Sequence, residues 1–278
     1  MKRAWLRTAL LAAAVAALGL FVYLKPVTRD TPEYALSGLK PDAAHAVRLE
    51  RSGAAPIALE KRGEEWLLTA PLAARAGTVQ VQRLLAVAAA KGTARLAATD
   101  LARFGLERPA MRLTIDGQSF DFGIVNEISR EQYVLTGGAV YTVAVSYTAG
   151  LPARPADLVD RQLLARSEVP ERIELGEFTV AREEGKWTVR PPAGEMSQDD
   201  LQRWLDDWRH ASALRVEPYG RGTPVAAVKM QLRGGTALSF GILSREPEVA
   251  LLRSDQKLVY YLSRGAAARL LSPPQAKP

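Results

Sequence analysis

The sequence predicts an α+β fold in which strands dominate, built as two tandem copies of a β-rich meander-plus-helix unit after an N-terminal transmembrane helix. Three observations predict it. An apolar run opens the chain behind basic residues. Five motifs recur later in the same order at a nearly constant offset. Period-two alternation, the mark of half-buried strands, is interrupted in each copy by one helical stripe. With 47% hydrophobic and 24% charged residues over 278 positions, the chain has the composition of one that buries a core.

Lys2, Arg3 and Arg7 precede an uncharged run over 8–24. As a helix this run is about 25 Å long at ~1.5 Å per residue. Counted from Ala4, with Arg7 snorkelling, it approaches the ~30 Å hydrocarbon core of a bilayer. Trp5 and Tyr23 stand at its two ends, where amphipathic rings favour the interface, and Lys25-Pro26 stops it. A cleavable signal would need small residues after the run, and Phe21-Val22-Tyr23-Leu24-Lys25 does not supply them. A lipoprotein is excluded because the chain has no cysteine. Residues 1–25 are therefore expected to be a cytoplasmic end and an uncleaved single-pass anchor, with 4–24 in inner-membrane lipid and the C-terminal bulk in a bacterial periplasm. Residues 26–45, with Pro26, Pro32 and Pro41, read as a stalk.

The first repeat is placed at 46–151. Alternating strands are expected at 47–51, 57–61 and 66–69, separated by turns at Ser52-Gly53 and Arg62-Gly63. A helix follows, with Thr78 as cap and Val81, Leu84, Leu85 and Ala88 on its apolar face. A meander closes the unit at 112–115, 119–124, 132–135 and 140–143, with Asp116-Gly117 as a hairpin turn.

Residues 152–170 read as a connector in which Asp157, Leu158, Arg161 and Leu164 suggest a short helix. The second repeat, 171–271, restates the first. Its strands are expected at 172–175, 178–182 and 187–190, then 228–232, 237–242, 249–253 and 258–262. Its helix has Ser197 as cap, Asp199 and Asp200 in the first turn, and Leu201, Trp204, Leu205 and Trp208 on one face. Residues 272–278 are expected to be a disordered tail. Trp66 pairs with Trp187, Leu84-Leu85 with Trp204-Leu205, Phe104-Gly105 with Tyr219-Gly220, Phe122-Gly123 with Phe240-Gly241, and Val140-Tyr141 with Val259-Tyr260, at offsets of 121, 120, 115, 118 and 119.

These motifs resemble a bacterial family known as a domain of unknown function, DUF4340. The likeness rests on Trp66 with Pro71, Phe104-Gly105-Leu106 with Pro109, Phe122-Gly123, Tyr133-Val134 and the connector run over 157–164. It covers about residues 45–270. It implies an envelope protein partner, since some relatives are encoded beside gliding-motility-type ABC transporters and are described as auxiliary components. It implies no catalytic residue.

The chemistry-bearing residues point away from an enzyme. Without cysteine there is no thiol nucleophile and no Cys-ligated metal, and His45 and His210 lie far apart. The net charge of +7 is spread along the chain, unlike the concentrated patch of a nucleic-acid binder, so no nucleic acid is expected. Asp206-Asp207 and Glu183-Glu184 are sequence neighbours, which point apart and suit a solvated face. Ser146 and Ser263 have no nearby histidine and no G-x-S-x-G setting. No catalytic, cofactor-binding or metal-binding residue is assigned, and no cofactor. The residues singled out are Trp66, Trp187, Trp204 and Trp208, as an interaction surface or as packing between the repeats. The expected function is a membrane-anchored periplasmic binding or scaffold protein, accessory to an ABC-type envelope system. The competing readings are a carrier of a lipid-like ligand and an envelope glycan or lipid enzyme. Oligomeric state and the packing of one repeat on the other leave no mark in the sequence.

Overall fold

The computed structural model describes residues 13–17, 19–21, 32–192 and 196–274. Most of the expected anchor at 4–24 lies outside the described residues. Its described parts, 13–17 and 19–21, are helical and exposed. Among the described residues no helix is long and apolar enough to cross a membrane. Residues 26–31 of the expected stalk and 275–278 of the expected tail also lie outside them.

The described chain is mostly β-sheet, two antiparallel sheets with few helices. The first unit contains β1 (Tyr34–Ala35), β2 (Ala46–Arg51), β3 (Ile57–Arg62), β4 (Glu65–Ala70), β5 (Ala74–Arg75), α1 (Thr78–Ala86), β6 (Lys91–Ala97), β7 (Met111–Ile115), β8 (Gln118–Asn126), β9 (Glu131–Thr136) and β10 (Ala139–Ala144). The second contains β11 (Pro170–Leu175), β12 (Phe178–Glu183), β13 (Lys186–Arg190), α2 (Gln198–His210), β14 (Arg215–Pro218), β15 (Ala226–Leu232), β16 (Ala237–Ser244), β17 (Val249–Arg253), β18 (Leu258–Leu262) and α3 (Arg264–Leu271). Each expected strand is present within one or two residues of its predicted ends.

The strand orders coincide. The first sheet runs β1-β6-β10-β9-β8-β7-β2-β3-β4-β5. The second, taken from the matching edge, runs β14-β18-β17-β16-β15-β11-β12-β13. Without β1 and β5 the two are the same path, so Trp66 on β4 and Trp187 on β13 occupy equivalent strands. Their cross-strand neighbours are equivalent too, Lys61 for Trp66 and Arg182 for Trp187.

Several elements depart from the expectation. β6 and β14 form strands where the sequence pattern suggests only passage between helix and turn. Both pair with the last meander strand, so their hydrogen bonds are tertiary. β6 does alternate, Lys91, Thr93 and Arg95 exposed against Gly92, Ala94 and Leu96, but its inward residues are mostly small and carry little strand signal, and β14 buries only Val216. The described part of the expected stalk folds onto the first unit: Tyr34 and Ala35 pair with Gly92 and Lys91, Leu36 and Ala44 are buried, and the Ser37 hydroxyl donates to Ala88 O at 2.8 Å. The connector's helix is only a 3-10 turn, Pro155–Leu158, and Thr78 is the first residue of α1 rather than its cap, which is Gly77. Of the expected tail, residues 272–274 are placed against α2, with the Trp204 indole N–H donating to Ser272 O at 3.1 Å.

The aromatic-Gly pairs are explained by a close approach. The segment after β6 ends a 3-10 turn at Gly105, whose φ of 66° places it in the left-handed region, and then crosses the sheet over Gly123. A Cβ on Gly123 would lie 2.1 Å from Phe104 O. In the second unit Pro224 takes that place, and a Cβ on Gly241 would lie 2.7 Å from its Cγ. The second unit has its positive-φ glycine at Gly222, two residues after the Tyr219-Gly220 counterpart of Phe104-Gly105.

One contiguous hydrophobic core runs through both units. It passes from Leu49, Leu68, Leu84 and Leu113 in the first, through Leu158, Val159, Leu163 and Leu164 of the connector, to Ile173, Trp208, Phe240 and Tyr260 in the second.

Candidate functional site

The connector is the place where the two units meet, and it is built as a strap. On one side it lies against the end of β5: Gly77 N–H donates to Leu158 O at 2.8 Å and Asp160 N–H to Arg75 O at 2.9 Å. It then turns to the second unit, where Leu163 N–H donates to Ala211 O at 3.0 Å and Ala213 N–H to Arg161 O at 2.8 Å. Extended backbone with partners on both flanks has its polar groups satisfied and lets Leu158, Val159, Leu163 and Leu164 be buried.

Two arginines close the strap. From the first unit, Arg75 donates to Asp160 Oδ2 at 3.0 Å and to Gln162 O at 2.8 Å. From the second, Arg253, 2% exposed, donates to Leu163 O at 2.7 Å and forks onto both oxygens of Glu168, with 2.9 Å from Nη1 to Oε2. Asp255 receives its Nε–H at 3.1 Å. Such planar bidentate pairing suits arginine. Burial pushes the Glu168 carboxyl up, but hydrogen bonds from Arg253 and from Ala165 N–H, with the charges of Arg253 and Arg75, outweigh it and leave its pKa below the ordinary value. Burial likewise opposes the charge of Arg253, and its bonds to Glu168 and Asp255 outweigh that and raise its pKa. Tyr260, beside them, is pushed up to about 12 mainly by burial, so its phenol stays neutral and donates to Gln256 Oε1 at 3.1 Å.

The four tryptophans are distributed differently from this junction. Trp66 is 8% exposed and part of the core. Trp204 and Trp208 pack inside the second unit in an aromatic series, edge-on from Phe178 to Trp204 at 5.9 Å and from Trp204 to Trp208 at 6.3 Å, then tilted from Trp208 to Phe240 at 6.1 Å. At the junction the polar contacts come from Arg75, Asp160, Glu168 and Arg253. Trp187 is only half-buried and lines a cleft of about 350 Å³ between β13, α2 and the turn after β15.

A larger surface cleft, about 670 Å³, separates α2 from α3 and is lined by Asp200, Arg203, Trp204, Asp206, Asp207, His210 and Arg269. Each carboxylate there faces an arginine: Asp200 with Arg203, Asp206 with Arg209 at 3.6 Å and Asp207 with Arg269 at 3.7 Å. Asp206 and Asp207 thus diverge to different partners, as neighbours on a helix do. His210 uses Nδ1 on Asp206 O at 2.8 Å at the helix end. Glu183 pairs with Arg190 at 2.7 Å, and Ser263 caps α3 through Ala266 N–H at 3.3 Å. Among the described residues no group of three or more His, Asp or Glu could hold a metal ion.

Sequence reasoning missed Arg75, Asp160, Glu168 and Arg253. Arg253 and Glu168 are 85 residues apart, and a lone charge on an apolar strand such as Val249–Arg253 was the only available sign.

Comparison with protein families matches residues 66–217 to the model described as a domain of unknown function, DUF4340. The match runs from Trp66 through the connector to β14, so it spans the junction rather than one sheet. No curated protein and no solved structure matches the chain.

Proposed function

The chain belongs to the DUF4340 family, and from that premise we propose that it is a single-pass, membrane-anchored periplasmic scaffold. Residues 4–24 hold it in the inner membrane, and two copies of one duplicated unit form a single docking body for an envelope protein. The resemblance makes an ABC-type export system the partner class. The protein acts by binding, not by catalysis.

The observation that carries this reading is the strap between the units. A hinged pair of domains would be joined by a polar linker with few crossing contacts. Here Leu158, Val159, Leu163 and Leu164 of the joining segment are buried, and the segment is paired to both units and clamped by Arg75 and Arg253. That construction suits a body that presents fixed surfaces. The shared strand order and equivalent Trp66 and Trp187 support duplication. The basic residues before the apolar run over 8–24 support the anchor and its orientation. Fully buried Leu49, Leu113, Trp208, Phe240 and Tyr260 occupy the centres of the two units, which favours a scaffold over a lipid carrier.

The test is made in cells carrying the full chain with a C-terminal tag. Membranes should retain the chain through alkaline carbonate, protease added to spheroplasts should remove the tag, and crosslinking in intact cells should yield a discrete adduct with one envelope protein. Release by carbonate, protection of the tag, or an absence of any reproducible adduct contradicts the reading.

A further inference from the structure

We propose that the cleft beside Trp187 is a binding site for a small neutral saccharide, present in the second unit and absent from the first. Trp66 and Trp187 stand on equivalent strands with equivalent cationic neighbours, Lys61 and Arg182. In the first unit the edge of β4 is covered by β5, Ala76 N–H donates to Trp66 O at 2.8 Å, and the indole is 8% exposed. In the second, the backbone of Trp187 is satisfied by a side chain: Gln198 both donates to Trp187 O and accepts from Trp187 N–H, each at 2.8 Å. The backbone is held while the ring stays half-buried at the wall of the cleft.

The facing helices differ in the same sense. At the 120-residue offset, Gln82 and Gln202 agree, but Val79 is replaced by Asp199, and Ala89, beyond the end of the shorter α1, by Arg209. Asp199, Gln202 and Arg209 all line the cleft, together with Arg182 and the Arg233–Glu171 pair at 3.6 Å. The second copy has therefore added donors and acceptors around a partly exposed indole. An aromatic face takes the C–H face of a pyranose ring, while guanidinium and amide donors and carboxylate acceptors suit hydroxyls, which both give and receive hydrogen bonds. The mixture of signs favours a neutral polyol over a strongly charged ligand. A volume of about 350 Å³ falls at the small end of ligand sites, roughly 300–1,000 Å³.

The test is a titration of the full chain in detergent with maltose, cellobiose and chitobiose, each to about 10 mM, above the millimolar affinity a small open cleft would give. The readout is the indole N–H resonance of Trp187, identified by its loss in Trp187→Phe. At least one disaccharide should shift it saturably, and Arg182→Ala and Gln202→Ala, both at exposed positions, should each weaken binding by about tenfold with the remaining resonances in place. A Trp187 resonance that stays still with all three sugars overturns the proposal. So does a shift whose affinity is unchanged in both variants.

Discussion

The carbonyl oxygen of Phe104 stands 2.1 Å from the point a Cβ on Gly123 would occupy. The two aromatic-Gly motifs of the first unit are thus two halves of one contact, the turn lying on the strand. Gly123→Ala should destabilise the protein by about 1–3 kcal/mol, because backbone must move to admit the methyl. Gly241→Ala should be milder, since the group it meets is the ring of Pro224, at 2.7 Å. Urea midpoints of the two variants check the order.

Arg253 is 2% exposed, and its removal would strand the Glu168 carboxylate at the junction. Arg253→Ala should cost about 3 kcal/mol or more, as loss of one partner of a buried pair does. Arg172→Ala, which breaks an exposed pair with Glu174 at 2.7 Å, should cost no more than about 1 kcal/mol. Thermal or urea unfolding of both variants makes the comparison.

The pH dependence follows from the same pair. The folded Glu168 carboxyl sits below its ordinary pKa, so the stability it contributes is present above the unfolded value, about 4, and is lost as pH falls through the lower folded one. Glu168→Gln should be less stable at neutral pH and show a shallower acid limb. At the other end Tyr260 is raised to about 12, so its contribution is present below about 10 and is lost as pH rises toward that value. Tyr260→Phe should flatten the alkaline limb.

Trp66 and Trp187 hold equivalent strand positions with unequal burial. Trp66→Ala should cost about 3–5 kcal/mol, the usual loss for a core aromatic. Trp187→Ala should cost about 1–2 kcal/mol, in proportion to the smaller apolar area it hides. Equal losses would mean that the second indole is as buried as the first.

Local chemistry made most of the fold legible. Alternation located the strands, Ser197 and the Leu201, Trp204, Leu205 and Trp208 stripe located α2, and the constant offset marked out the two units whose sheets prove to share one strand order. What stayed hidden depends on distant partners. β6 is a strand because β10 offers it hydrogen bonds, and Tyr34–Ala35 because β6 does. The connector reads as a spacer because its prolines and charges are those of a loop. Its burial depends on Arg75 and Arg253, from either side of it in sequence. The candidate residues were legible as tryptophans but not by role, since burial separates Trp66 from Trp187 and the sequence gives both the same setting.

The strap makes the two units one body, and a distance between them tests this directly. The chain has no cysteine, so Glu64→Cys and Lys186→Cys, at exposed positions in the β3–β4 and β12–β13 hairpins, give a spin-label pair with one site in each unit. Pulsed electron–electron distance measurements on the full chain in detergent should give a single narrow distance distribution. Adding Arg75→Ala and Arg253→Ala should broaden it. A broad distribution with both arginines in place would mean that the strap does not fix one unit against the other.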